Sequence, residues 1–307
     1  AHFLQMFLRE FKTESELRDL LEQETKELPD CPENIFLENA IRLKLEGVST
    51  NTETEIFGFP ASDCRYIFFV EHGEDVYPVI HVRQPLYGHR AGELDESAKL
   101  IIERFKEHFL KHSQILVVGD KRCTDTFVHH LSSSLNFTAV HKQEQIPEFY
   151  MTAAQREQVI NTNVQVPEGF KFDAIDVDKE ADTIYPLWVV EKEFTINRLR
   201  HLPSICIRTN EGELAGWAMS TFYGTVSHLY VFPQFRQNGL GNALQLAQAA
   251  QYAKKGARPS LYVSPGNTVV YKRFSNSPFW TLWTESDEDR KEILNYTEFV
   301  VFRPADE

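Results

Sequence analysis

The sequence predicts an α/β (α+β) protein in two parts, each built on a mixed, mostly antiparallel sheet. Three observations carry that expectation: β-rich runs alternate with helix-spaced apolar patterns, a polar stretch near residue 162 interrupts them, and the pattern then restarts. At 307 residues the chain has room for two domains of ordinary size, and its 42% hydrophobic content supplies them with cores.

The first helix is expected from Glu14 to Leu28, where Leu17, Leu20, Leu21 and Leu28 recur at helical spacing and Pro29 stops it. Strands follow at Arg65–Val70, Val76–Val82 and Gln114–Val118, with a helix over Leu94–His112 between the last two. A helix over Thr124–Leu135 and a strand over Phe137–His141 close this part. Met151 opens a helix that runs out into the polar stretch NTNVQVPEG, the expected linker between residues 1–160 and 165–307.

The second part begins with a strand over Phe170–Val177, then helices at Ala181–Val190 and Asn197–Leu202. Strands at Ser204–Arg208, Leu214–Thr221 and Thr225–Val231 are joined by turns at Glu211-Gly212 and Tyr223-Gly224. A helix over Gly239–Lys255, a strand over Ser260–Val263 and a helix over Asn267–Phe274 come next. Strands near Phe279–Trp283 and Thr297–Phe302 complete the order.

The formal net charge of −13 argues against a sequence-independent nucleic-acid binder, because phosphate contacts require a basic surface. Charge is unevenly spread. Phe232 to Trp280 contains Arg236, Lys254, Lys255, Arg258, Lys272 and Arg273 and no acidic residue, which suits a small polyanion or, equally, the cation-favouring end of a helix. No apolar run approaches the roughly 18 residues that cross a bilayer, and residues 1–4 lack a basic start followed by an apolar stretch. The expectation is an intracellular protein without membrane insertion, with the choice of cytoplasm or mitochondrion left open. Cys31, Cys64, Cys123 and Cys206 are widely spaced, as buried thiols of a reducing compartment are. His129-His130 lacks the H-E-x-x-H spacing, so no metal is expected.

The chemistry is expected around Arg236-Gln237-Asn238-Gly239-Leu240-Gly241-Asn242, which lies between a strand ending at Pro233 and a long helix. A helix start presents unpaired N–H groups and the positive end of its dipole. Glycines there remove the Cβ atoms that would hold a phosphate away. The plain alternative is a helix cap with glycines for tight turning.

Val231 to Leu244, V-F-P-Q-F-R-Q-N-G-L-G-N-A-L, resembles motif A of the GNAT acyltransferases, whose loop grips the pyrophosphate of coenzyme A. From about Ile175 to Trp283 the chain is similar to the glycine N-acyltransferase-like branch, in Pro203, Glu211-Gly212, Trp217, Phe235-Arg236, Ser264 to Asn267 and Phe279-Trp280. The first part resembles that branch's N-terminal domain in its order of elements and in Glu148-Phe149-Tyr150-Met151.

The resemblance implies a GNAT fold over residues 165–307 and a related GNAT-like unit, without a coenzyme A motif, over 1–160. It implies an acyl-CoA cosubstrate, acetyl or longer, and an amine acceptor such as glycine or another small amino acid. A peptide N-terminus or a polyamine is the alternative acceptor, and a non-catalytic coenzyme A-binding scaffold the alternative function. Backbone groups of Leu229, Tyr230 and Val231 are implied to pair with pantetheine where a strand splays, and Asn267 to approach it, with a helix N-cap as that residue's other reading.

Two positions depart from the family. Thr225 stands where glycine N-acyltransferases keep a glutamate base, and Phe274 stands where many GNATs keep a tyrosine, with Tyr271 one turn earlier. Strand alternation puts Thr225, Ser227 and Leu229 on one face and Val226, His228 and Tyr230 on the other. His228 has a suitable imidazole to act as the base, or is a packed structural histidine.

Overall fold

The computed structural model describes residues 7–27, 32–48, 52–74, 76–83, 85, 89–143, 146–187, 192–264, 266–283 and 298–305. The first half runs β1 (Arg9–Glu10), α1 (Glu14–Glu27), α2 (Pro32–Leu45), β2 (Glu53–Phe59), β3 (Tyr66–His72), β4 (Val79–Arg83), α3 (Ala91–Phe109), β5 (Ile115–Gly119), α4 (Lys121–Leu135) and β6 (Phe137–Gln143). Then come β7 (Glu148–Tyr150), α5 (Ala153–Asn161), β8 (Phe170–Asp173), α6 (Val177–Ile184), α7 (Lys192–His201), β9 (Ile205–Thr209) and β10 (Leu214–Ser220). The chain continues with β11 (Val226–Val231), α8 (Leu240–Lys254), β12 (Ser260–Tyr262), α9 (Thr268–Ser275), β13 (Thr281–Leu282) and β14 (Glu298–Pro304).

Local chemistry accounts for many of these boundaries. The Asp120 carboxylate accepts from the Cys123 N–H to start α4, and Asn136 at φ 57° ends it in the left-handed region. Thr152 and Gln155 form a reciprocal capping box on α5. Leu94, Ala98, Ile101, Ile102, Phe105 and Phe109 form the buried stripe of α3 that its spacing predicts. The strand predicted to reach Val177 instead ends at Asp173, because residues 177–184 wind into α6. Leu28, the predicted end of the first helix, and residues 188–190 of the Ala181–Val190 prediction lie outside the described residues.

The first sheet has the order β1-β2-β3-β4-β5-β14-β6, antiparallel throughout except between β4 and β5. The second half repeats the scheme. β8, β9, β10 and β11 are antiparallel neighbours, a parallel bridge Thr225↔Ser260 joins β11 to β12, and β7 lies antiparallel between β12 and β13. The two halves therefore share one topology, and each lends a strand to the other: β7 enters the second sheet and β14 the first.

One difference between the halves bears on the site. β4 and β5 are zipped through three registered pairs, Val79↔Leu116, Ile80↔Val117 and His81↔Val118. Between β11 and β12 the described residues form a single bridge. Only the second sheet opens there.

The halves are also clamped by polar contacts. Asn39 on α2, fully buried, donates to the carbonyls of Tyr223 and Arg258 at 3.1 and 2.7 Å and accepts from the Arg258 N–H at 2.8 Å. Arg198 on α7 donates through both terminal nitrogens to Glu71 on β3, at 2.9 and 2.5 Å. Cys123 and Cys206 are buried and in no disulfide among the described residues, Cys64 is half-buried, and Cys31 lies outside the described residues.

Candidate active site

β11 is irregular where it matters. Trp217 opposes Tyr230 and Met219 opposes Ser227, so two residues of β10 face an interval of three on β11, and the extra residue makes a β-bulge. His228, at φ 40°, adopts the left-handed backbone within it. Gly216 is required nearby, since a Cβ there would lie 2.5 Å from the Tyr230 carbonyl oxygen. The bulge corrects the simple alternation read from sequence: Ser227 shares the Trp217 and Tyr230 face, which packs on α6 and α7, while Val226 and Val231 pack on the α8 side.

Beyond the Thr225↔Ser260 bridge the strands part, and the gap becomes a cleft of about 420 Å³. From the sequence-derived set, His228, Leu229 and Asn267 line it. Asn267 also caps α9, its Oδ1 accepting from the Val270 N–H at 3.3 Å, so the capping reading of that residue holds while it borders the cleft. Thr225 does not line the cleft. It is fully buried at the vertex, its hydroxyl 2.8 Å from that of Ser260. Tyr271 packs edge-on against Phe149 at 5.8 Å, and Phe274 is the α9 aromatic that reaches the cleft wall.

The loop from β11 to α8 brings Gly241 beside Leu229, which lines the cleft. Gln237 and Gly239 take positive φ, 68° and 78°, and Gly239 is the N-cap of α8. The Asn242 N–H already donates to the Gly239 carbonyl at 3.1 Å, whereas the N–H groups of Leu240 and Gly241 precede the first intrahelical acceptor, and the helix dipole places positive potential there. Gly241 is informative because the chain itself does not require it. A Cβ added there would meet only Leu229 at 3.7 Å and Arg273 at 3.8 Å, both ordinary contacts. Arg236 donates from Nε to the Val231 carbonyl at 2.9 Å, with its guanidinium carbon 5.6 Å from the Tyr230 ring centroid. Asn238 bonds the Phe235 carbonyl at 3.1 Å, and Asn242 accepts from Gln245 at 3.1 Å.

His228 is held from both sides. The Trp217 indole N–H donates to Nδ1 at 3.3 Å, so the ring proton belongs on Nε2, which lies 3.0 Å from the Leu187 carbonyl. Burial pushes its pKa down to about 4, against the hydrogen bond to Leu187.

Other residues that shape the cleft are absent from the sequence-derived set: Ser227, Gln245, Tyr262, Tyr223 and Arg198 line it, and Arg273 stands beside Gly241. Burial and a hydrogen bond with Tyr223 act in opposite directions on the Tyr262 phenol, and burial wins, raising it to about 12. Elsewhere, Glu53, Glu55 and His72 bring ligand atoms within 4.8 Å of one another. Glu55 is already bonded to His72 at 2.8 Å and Arg104 at 3.1 Å, so a guanidinium takes the place a cation would fill.

Residues 205–283, from β9 through β13, match the family model described as FR47-like protein. Among solved structures, a Drosophila melanogaster protein is 15% identical with a TM-score of 0.70, over 96% of this chain and 98% of that one. A GCN5-related N-acetyltransferase from Kribbella flavida is 14% identical with a TM-score of 0.51, over 87% of this chain and 96% of that one. No curated protein matches the sequence. The fold is that of the GNAT superfamily.

Proposed function

We propose that the protein transfers an acyl group from acyl-CoA to a primary amine in the cleft between β11 and β12. One observation carries the reading: the two strands part directly beside a helix start where Gly241 leaves room that the chain itself does not need. Pyrophosphate would bind the N–H groups of Gly239, Leu240 and Gly241, flanked by Arg236 and Arg273, and pantetheine would pair with the freed edge of β11 at Leu229 to Val231. The acceptor nitrogen then attacks the thioester carbon. An N–C bond forms, the C–S bond breaks, and the proton lost by nitrogen ends on sulfur. The likeness of Ile175 to Trp283 to glycine N-acyltransferases supports that branch as the proposed relationship, with an acetyl or longer donor.

In this reading residues 165–307 form the acyl-CoA unit, and residues 1–160 contribute the facing wall, their own β4–β5 junction being closed. Thr225 locks the vertex, His228 fixes the bulge and Tyr271 supports the wall. The test is calorimetry of acetyl-CoA binding. Gly241→Glu, which sets a carboxylate in the phosphate seat, is expected to weaken binding at least a hundredfold, and unchanged affinity would overturn the assignment. A coenzyme A-binding scaffold is the second reading, favoured by the lack of any Asp or Glu among the described residues lining the cleft. Tight acetyl-CoA binding without product from any amine would decide for it.

A further inference from the structure

On the α7 side the cleft becomes a chamber between the two halves, lined by Ser227, Tyr77, Val79 and Phe194, with Tyr262 packed against the cluster that holds the last three. Its charge is unusual for a site that handles amines. Among the described residues lining the cleft, Arg198 is the only Asp, Glu, Lys or Arg. That charge is already engaged. Both terminal nitrogens of Arg198 bond to Glu71, the two side chains are 2% and 0% exposed, and the guanidinium carbon lies 4.5 and 5.3 Å from the ring centroids of Phe194 and Phe222.

Among the described lining residues, a zwitterionic amino acid would find no available lysine or arginine for its carboxylate, and a polyamine no carboxylate for its distal ammonium. Either would bury a charge without compensation. Ser227 adds a second, independent observation. It is 6% exposed, and its Oγ has no hydrogen-bond partner within the protein. At the wall of an open cleft, a buried hydroxyl left in this state is available to a group from outside.

We propose that the acceptor is a primary amine on an uncharged, apolar body, its nitrogen met by Ser227 Oγ and its body seated against Tyr77 and Phe194. This assignment rests on the acyl-transfer reading and names the acceptor class for that same site. It also accounts for the missing carboxylate base. Transfer into an apolar chamber disfavours the ammonium form, so the reactive neutral amine is selected by desolvation.

The test separates the two claims. Protein loaded with coenzyme A is titrated calorimetrically with 2-phenylethylamine, hexylamine, glycine and spermidine. The two apolar amines are expected to bind at least tenfold more tightly than glycine or spermidine. Ser227→Ala, which removes one hydrogen bond, is expected to weaken 2-phenylethylamine binding about fivefold and leave coenzyme A affinity unchanged. Glycine or spermidine binding as tightly as the apolar amines, or Ser227→Ala binding them as wild type does, overturns the assignment. Amide formation from acetyl-CoA is followed in parallel. Tight amine binding without amide product defeats the acyl-transfer reading and leaves the chamber's ligand class standing.

Discussion

His228 shows how a residue can be well placed and still be poorly suited to a role. Its Nδ1 lone pair faces the Trp217 indole, its Nε2 faces the Leu187 carbonyl, and its pKa sits near 4. With His228 held neutral near pH 7, kcat/KM is expected to rise with pH as the acceptor amine becomes neutral, with no inflection from His228 near the ordinary imidazole value of about 6.5. An inflection there that vanishes in His228→Gln would restore the histidine as base. The same group affects stability in a defined direction. The native state favours neutral imidazole, so His228 costs nothing above pH 6.5 and destabilises as pH falls towards 4, where the unfolded chain binds the extra proton. His81, buried and close to Arg198, is lowered in the same direction. Urea midpoints are therefore expected to fall between pH 7.5 and pH 5.

Residue by residue, the Arg236 to Gly241 loop was legible because its information is local: a strand end, two glycines and a helix start. Ser227 was not. Its face depends on a bulge set by register with β10, which no pattern within β11 displays. The neutralisation of Arg198 was equally hidden, since its partner Glu71 lies 127 residues earlier.

Among the elements, the turn between β10 and β11 is fixed from the other half of the molecule. Gly224 at φ 79° packs so tightly on Asn39 that a Cβ there would approach its Nδ2 to 2.5 Å. Asn39→Ala would remove three buried hydrogen bonds, to two carbonyls and one N–H, and is expected to destabilise the protein by roughly 2–4 kcal/mol in urea denaturation. A loss below about 1 kcal/mol would show that the clamp is dispensable. The helix that carries Asn39 was not legible in the sequence. Residues 34–41 of α2 are all buried, including Asn34, Glu38 and Asn39, so no one-sided stripe marks it. β7, at three residues, is too short for a period to show. Long amphipathic elements such as α3 and α4 were legible because one face meets water.

For the molecule as a whole, the exchange of β7 and β14 makes the halves mutually dependent. The order of elements allowed a repeated α/β plan to be read, but strand exchange is invisible in an element string, because it concerns which edges meet. Val300, fully buried in the first core, pairs with Val117 on one side and Lys142 on the other. Val300→Asp is expected to cost several kcal/mol and to remove amide protection from β5 and β6, although both lie more than 150 residues earlier. Hydrogen exchange measures this directly. Wild-type protection of β5 and β6 in that variant would break the proposed interdependence.

The position of β14 also sets an order of events during synthesis. A ribosome completes β5 and β6 long before it reaches residue 298, and at roughly 5–20 residues per second the interval lasts on the order of ten to thirty seconds. Through that interval the strand meant to lie between them does not exist, and two β-rich edges stand open to pairing with any other chain. A nascent chain stalled before residue 298 is thus expected to be a preferred client of holdase chaperones, and the first half can close only after β14 has been made.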